Sequence, residues 1–151
     1  MTKLSNIQGG RCGELLVQLK LLMCGIESAQ MTTDNGIDLV AFSQRLGRPK
    51  TIQIKANIKG KPAGGKGKLH LQWNAKQDSK ADIFAFVDLD GQRVWLIETN
   101  RLVSVAQQNK NGKLNFFMAL DPTTRLRRDG KPVHLENFNE FLFENRVSEL
   151  F

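Results

Sequence analysis

Two short apolar runs joined by a Gly/Pro turn constrain the fold of this chain more than any other feature. Gly36-Ile37-Asp38-Leu39-Val40 opens the first run and Thr51-Ile52-Gln53-Ile54-Lys55-Ala56 forms the second, with Gln44-Arg45-Leu46-Gly47-Arg48-Pro49 between them. That punctuation predicts an antiparallel hairpin. Side chains alternate across a strand, so Gln53 and Lys55 project to one face while Ile52, Ile54 and Ala56 project to the other. Asp38 shares its face with Val40 and Phe42. Pairing of the two strands then brings a carboxylate, an amide and an ammonium to one place.

Those residue types suit phosphodiester hydrolysis. The reaction calls for a hard cation held by oxygen ligands, an attacking water, and compensation of charge on the phosphoryl oxygens. Asp38 is the natural metal ligand, Gln53 offers a neutral amide oxygen, and Lys55 can orient water or stabilise the phosphate.

Taken in this order, Asp38 opening one strand and Gln53-x-Lys55 in the next resemble the PD-(D/E)XK nuclease superfamily, in the variant with Gln at the acidic position of the second motif. Upstream, Arg11-Cys12-Gly13-Glu14-Leu15-Leu16 looks like the Gly-Glu start of that family's first helix. A weaker echo lies at Ala81-Asp82-Ile83-Phe84-Ala85-Phe86-Val87-Asp88. Among the superfamily's members, the small group I intron homing endonucleases with Gln-x-Lys are the most similar. The resemblance implies catalytic residues Glu14, Asp38, Gln53 and Lys55. It also implies a metal shell of Asp38, Glu14, Gln53 and the Ile54 carbonyl, holding Mg²⁺ with Mn²⁺ as an alternative.

Each residue also has a plainer reading. Asp38 after Asn35-Gly36 suits turn chemistry. Gln53 and Lys55 suit the solvated face of an antiparallel strand. Glu14 suits a helix start, where a carboxylate favours the macrodipole. Asp82 fits an ordinary cap or turn.

Charge distribution favours a polyanionic substrate. The chain carries +7 overall, yet between Leu39 and Gln77 it has no Asp or Glu and nine basic residues: Arg45, Arg48, Lys50, Lys55, Lys59, Lys61, Lys66, Lys68 and Lys76. Within that stretch, residues 59–68 read as a basic Gly/Lys loop able to mould to phosphates, or simply as a solvated loop. Leu69-His70-Leu71-Gln72-Trp73-Asn74 alternates like a strand, and His70, Gln72 and Asn74 could read base edges. The DNA-contacting set is thus Arg45, Arg48, Lys50, Lys59, Lys61, Lys66, Lys68, His70, Gln72 and Asn74.

Length and composition set the frame. A chain of 151 residues with 40% apolar content predicts one domain, 1–151, with its own core. No run approaches the ~20 apolar residues of a membrane span, and Met1-Thr2-Lys3-Leu4-Ser5 does not lead into a signal-peptide core, so a cytoplasmic protein without membrane association is expected. Cys12 and Cys24 sit about 18 Å apart on one helix at ~1.5 Å per residue, beyond disulfide reach. Two histidines, His70 and His134, without CxxC or HExxH spacing give zinc little support.

The remaining elements follow from periodicity. Residues 10–24 predict a helix whose apolar stripe is Leu15, Leu19, Leu22 and Met23, stopped by Gly25. A first strand spans 26–31, before the Asp34-Asn35-Gly36 turn. Strands at 83–88 and 93–98 form a hairpin through Asp90-Gly91, with Phe84, Phe86 and Trp95 in the core. A short helix at 101–107 and a strand at 114–120 precede a C-terminal helix at about 135–150 carrying Phe138, Phe141, Leu142 and Val147. Phe143 and Phe151 fall outside that stripe, which suggests subunit association; cutting both strands of a duplex takes two active sites or one site acting twice, so a homodimer or homotetramer is expected.

The expectation is an α/β, PD-(D/E)XK restriction-endonuclease-like core, a mixed central β-sheet flanked by helices, acting as a homing-type, sequence-specific endonuclease on double-stranded DNA. Three readings compete with it. A Holliday-junction resolvase-like nuclease would prefer branched DNA, a restriction-type or mobile-element nuclease would share the sequence specificity, and a non-catalytic DNA-binding module would keep the fold without the reaction.

Overall fold

Ser5 starts the first helix, α1 (Asn6–Met23), earlier than the apolar stripe indicates. Its hydroxyl accepts the Gln8 N–H at 3.3 Å while the Gln8 side chain accepts the Ser5 N–H at 2.9 Å, a reciprocal capping box. The helix ends in a Schellman arrangement: Gly25 takes φ 75°, with Ile26 N–H on the Leu21 carbonyl at 3.0 Å and Gly25 N–H on the Leu22 carbonyl at 2.9 Å. The structure, a computed structural model, describes residues 3–33, 35–125 and 133–151, so the Asp34 position of the expected turn lies outside the described residues.

The buried face of α1 is the opposite of the one expected. Gly9, Gly13, Val17 and Leu21 face inward, whereas Leu15, Leu19, Leu22 and Met23 are 49%, 54%, 60% and 79% exposed. The two glycines are the reason. A Cβ at Gly13 would sit 2.7 Å from the Ala56 Cβ, and one at Gly9 would sit 2.6 Å from the Ile58 side chain. The helix backbone lies directly on the sheet, so its small residues, not its large ones, mark the interface. Gly13→Leu is therefore expected to destabilise the fold by about 1–3 kcal/mol or more through overpacking, read as a lower urea midpoint. Leu15→Ala should stay within about 0.5 kcal/mol when measured at dissociating dilution, as surface changes do.

Among the described residues nine strands make two sheets. The first has the order β1 (Glu27–Gln30), β2 (Leu39–Phe42), β3 (Pro49–Asn57), β6 (Ile83–Asp88), β7 (Arg93–Glu98). Only β3 and β6 run parallel; the other neighbours are antiparallel, so the sheet is mixed. The second sheet is antiparallel, in the order β4 (Lys61–Pro62), β5 (Leu69–Lys76), β9 (Lys113–Ala119), β8 (Gln108–Lys110). A short helix, α2 (Leu102–Val105), precedes β8.

Two cores follow from the alternation. On one face of the first sheet, Leu39, Ile52 and Ile54 pack with Val17 and Leu21 of α1 and with Phe143 of α3 (Phe143–Leu150). On the other, Phe84, Phe86 and Trp95 pack with Leu71, Trp73 and Phe116 of the second sheet, the Phe86 and Phe116 rings 4.8 Å apart. Helices thus cover one face of the mixed sheet, and a sheet covers the other where helices were expected. β6, buried along its whole length, reads as a continuous apolar run for that reason.

The C-terminal segment is interrupted. A 3-10 stretch (Leu135–Phe141) and α3 are separated by Leu142, whose extended backbone (φ −53°, ψ 141°) bridges to Trp95. Phe143 and Phe151 are each 3% exposed, packed into the first core, and so cannot form the association surface expected of them. Arg146, itself buried, donates to Glu98 at 2.6 Å, and Lys20 meets Glu144 at 2.5 Å, tying α3 to β7 and α1. Among the described residues no helix is long and apolar enough to cross a membrane.

The basic stretch at 59–68 is shaped rather than featureless. β4 pairs with the start of β5, a 3-10 turn (Ala63–Gly65) follows β4, and Lys68 binds Asp121 at 3.2 Å as well as the Thr123 hydroxyl. Hydrogen bonds from the Thr123 hydroxyl and N–H, with Lys68 adding to them, hold the Asp121 carboxyl below its ordinary range.

Candidate active site

β2 begins at Leu39 opposite Ile52, whereas β3 continues to Asn57, so the far half of β3 has an edge without a strand beside it. Asp38 occupies that edge. Its N–H donates to the Ile52 carbonyl at 2.9 Å, and its Oδ2 accepts the Ile54 N–H at 2.6 Å. The carboxylate substitutes for the backbone acceptor that a longer β2 would supply. N–H and C=O of one strand residue point the same way, so the Ile54 carbonyl is directed to the Asp38 side too.

Gln53 and Lys55 lie in parallel register with Phe84 and Phe86, on the sheet face turned toward the second sheet. There they line a groove of about 1260 Å³, walled on the other side by residues 74–80 and 111–113. Lys55, Lys76, Lys80 and Lys113 face it, with Asp78 the lone carboxylate among its lining residues. Lysines gathered in one concavity sum to a positive potential that draws a polyanion. The Gln53 amide oxygen accepts the Ser79 hydroxyl at 3.2 Å. Lys55 has neither a salt bridge nor a hydrogen bond among the described residues, which leaves its ammonium available to the groove.

Glu14 comes from the helix and not from the strands. It lies on α1, across the sheet from Gln53 and Lys55, and its carboxylate accepts from Arg11 and from Gln30, each at 2.7 Å. Gln30 is opposite Leu39, next to Asp38, so Gln30 links Glu14 to the Asp38 end of the sheet. Among the described residues no group of three or more His, Cys, Asp and Glu side chains could hold a metal ion. The Asp38 carboxylate, the Gln53 amide oxygen and the Ile54 carbonyl are all hard oxygen donors. They fit Mg²⁺, which keeps several waters and binds through one or two carboxylates and substrate phosphates, and not a softer metal.

The expected DNA-contacting residues divide by location. Arg45 and Arg48 sit at the β2–β3 turn, and the Arg45 guanidinium donates to the Ser148 carbonyl at 2.5 Å. Lys50, opposite the buried Ala41, lies on the helix-covered face and away from the groove. Lys59, Lys61 and Lys66 are exposed, and Lys68 is held by Asp121. His70, Gln72 and Asn74 alternate with the buried Leu71, Trp73 and Ala75, so they share the outer face of the second sheet. Sequence reasoning missed Ser79, Lys80, Asn111 and Lys113. Asn111-Gly112 carried the signal: both take positive φ (53° and 78°) in the two-residue turn joining β8 to β9, the strongest short hairpin signature a sequence offers.

Asp82 proves structural. Its Oδ2 accepts from the Thr51 N–H at 2.9 Å and the Thr51 hydroxyl at 3.1 Å, while its own N–H returns to Thr51, fixing the start of the β3–β6 pair. Asp82→Ala should cost about 1–3 kcal/mol by leaving these donors unmatched, measured by urea titration.

This α/β architecture, a mixed sheet with helices on one face and a second sheet on the other, is shared with a known nuclease. The solved structure of a bacterial homing endonuclease, I-Ssp6803I, superimposes with a TM-score of 0.63 at 12% identity, covering 97% of this chain and 91% of that one. A second structure, MepB, aligns with a TM-score of 0.37 at 14% identity over 74% of this chain and 84% of its own. No protein-family model and no curated protein matches the chain.

Proposed function

We propose that this chain is a Mg²⁺-dependent DNA endonuclease of the PD-(D/E)XK type, a single nuclease domain cutting duplex DNA as homing enzymes do. The observation that carries the reading is the meeting of Asp38 with the Ile54 N–H at 2.6 Å beside a lysine-lined groove that contains Gln53 and Lys55. The shared fold with a homing endonuclease adds to it.

In this reading Asp38, the Gln53 amide oxygen and the Ile54 carbonyl would hold the ion, with Glu14 acting directly or through water. A bound hard dication supplies compensation for charge on the phosphoryl oxygens. Lys55 orients the attacking water and shares in that compensation. Lys76, Lys80 and Lys113 hold the flanking phosphates, so binding should weaken steeply with salt. Cutting both strands calls for two such sites or one site acting twice, and the exposed stripe of α1 is the surface we assign to pairing between copies.

One observation favours a second reading. Gln53 is neutral and bound to Ser79, and Glu14 is engaged by Arg11 and Gln30. A chain that binds DNA without cutting it would tolerate both. Incubation of a randomised duplex library and a four-way junction with the protein, in Mg²⁺ and in chelator, separates the alternatives. Cleavage of linear duplex that requires Mg²⁺ is expected; binding without cleavage in any metal would favour the silent module, and preferential cutting of the junction a resolvase.

A further inference from the structure

Both chain segments that build the second sheet, 58–77 and 102–120, contain no Asp or Glu. Their side chains fall into rows across its outer face. Lys76 is opposite Lys113, and Lys113 is opposite Lys110, giving three ammonium groups in one cross-strand row. Like charges directly opposite destabilise a sheet, so this row is costly unless an anion lies on it. Lys76 and Lys113 also line the groove holding Gln53 and Lys55, which makes the row continuous with the candidate site.

The next row changes chemistry. Asn74, Asn115 and Gln108 stand side by side, with the Asn115 amide donating to Gln108 at 3.4 Å, and Gln72 with Phe117 forms the row beyond. His70 meets the Phe117 ring edge-on at 6.4 Å, and its buried Nδ1 has no hydrogen-bond partner among the described residues. Neutral amides neutralise no phosphate, but they match the donor and acceptor edges of bases, and an aromatic side chain suits the thymine methyl. Resting on the reading of DNA as substrate, we propose that this outer face reads base edges in the major groove. The lysine row holds backbone beside the cut, and Gln72, Asn74, Asn115 and Gln108 specify sequence. The long strands β5 and β9 carry most of this face with the short β8 beside β9, so its rows span about 10 Å at ~4.8 Å between strands, against a major groove about 12 Å wide. From Lys76 to His70 is six residues, roughly 20 Å at ~3.3 Å per residue. At ~3.4 Å per base-pair step, that places the bases read within about six pairs of the lysine-held phosphates.

Selection of bound duplexes from a randomised library, in chelator so that nothing is cut, tests the face separately from catalysis. The wild-type protein should enrich a short motif. Gln72→Ala and Asn115→Ala should each lose preference at particular positions, by about 5- to 150-fold per base pair, while Lys110→Gln weakens retention of all sequences alike. Unchanged preference in both amide variants, or no duplex retention by the wild type, would overturn the proposal. Sequence-selective binding in a protein that never cleaves with Mg²⁺ would leave this face standing and defeat the nuclease reading instead.

Discussion

Replacing Lys55 by alanine is expected to lower the rate of Mg²⁺-dependent duplex cleavage by about 10²–10³-fold, the loss typical when one preorganised donor to a developing charge is removed. Binding should fall only slightly, because Lys76, Lys80 and Lys113 still face the groove. Lys55 stands on a strand anchored by the buried Ile54, so its backbone is fixed and only its side chain has to be ordered when substrate binds. Asp38→Ala should be as damaging to cleavage, and it also leaves the Ile54 N–H without its acceptor, at about 1–3 kcal/mol of stability. The two variants therefore separate by a second measurement: a lowered urea midpoint for Asp38→Ala and an unchanged one for Lys55→Ala. Single-turnover cleavage paired with gel-shift titration checks both. Wild-type rates in the two variants would show that the chemistry lies elsewhere.

The strands of the candidate site were legible because alternation fixes faces. The reading of Gln53 and Lys55 against Ile52 and Ile54 needed only the period of two, and the Gly47 to Pro49 turn set the hairpin. The β6–β7 hairpin appeared at its expected limits for the same reason. What the sequence hid were relations between distant segments. Nothing local says that residues 74–80 and 111–113 form the second wall of the groove, since that depends on β5 pairing with β9 across forty intervening residues or so. Likewise Glu14 sits one residue from the glycine on which α1 rests, but whether it faces the Asp38 end of the sheet depends on how the helix is rotated. That rotation was read from the large residues and is set by Gly9 and Gly13. The same error in periodicity assigned Leu15, Leu19 and Leu22 to the core.

If copies of the chain associate, α1 rather than α3 offers the apolar surface for it. With Phe143 and Phe151 buried, the exposed apolar side chains of α1, including Ile7 at 87% and Met23 at 79%, form a stripe along one helix. Its Leu15, Leu19 and Leu22 are spaced by four and three residues, the seam spacing of paired helices. A second copy presenting the same stripe would cover it, and contiguous apolar surface of this kind marks interaction sites in soluble proteins. Leu19→Glu combined with Leu22→Glu should therefore weaken self-association by 10²-fold or more, because about 1.5 kcal/mol or more is lost for each leucine left in water and every tenfold corresponds to about 1.4 kcal/mol. Light scattering across a dilution series is expected to give a dimer or tetramer for the wild type and a monomer for the double variant. The urea midpoint measured under dissociating dilution should hold, since neither leucine contributes to the core. On supercoiled plasmid, the monomer should accumulate nicked circles where the wild type yields linear product, one site having lost its companion on the opposite strand. If the double variant scatters like the wild type, the copies meet through another surface and the stripe has a different role.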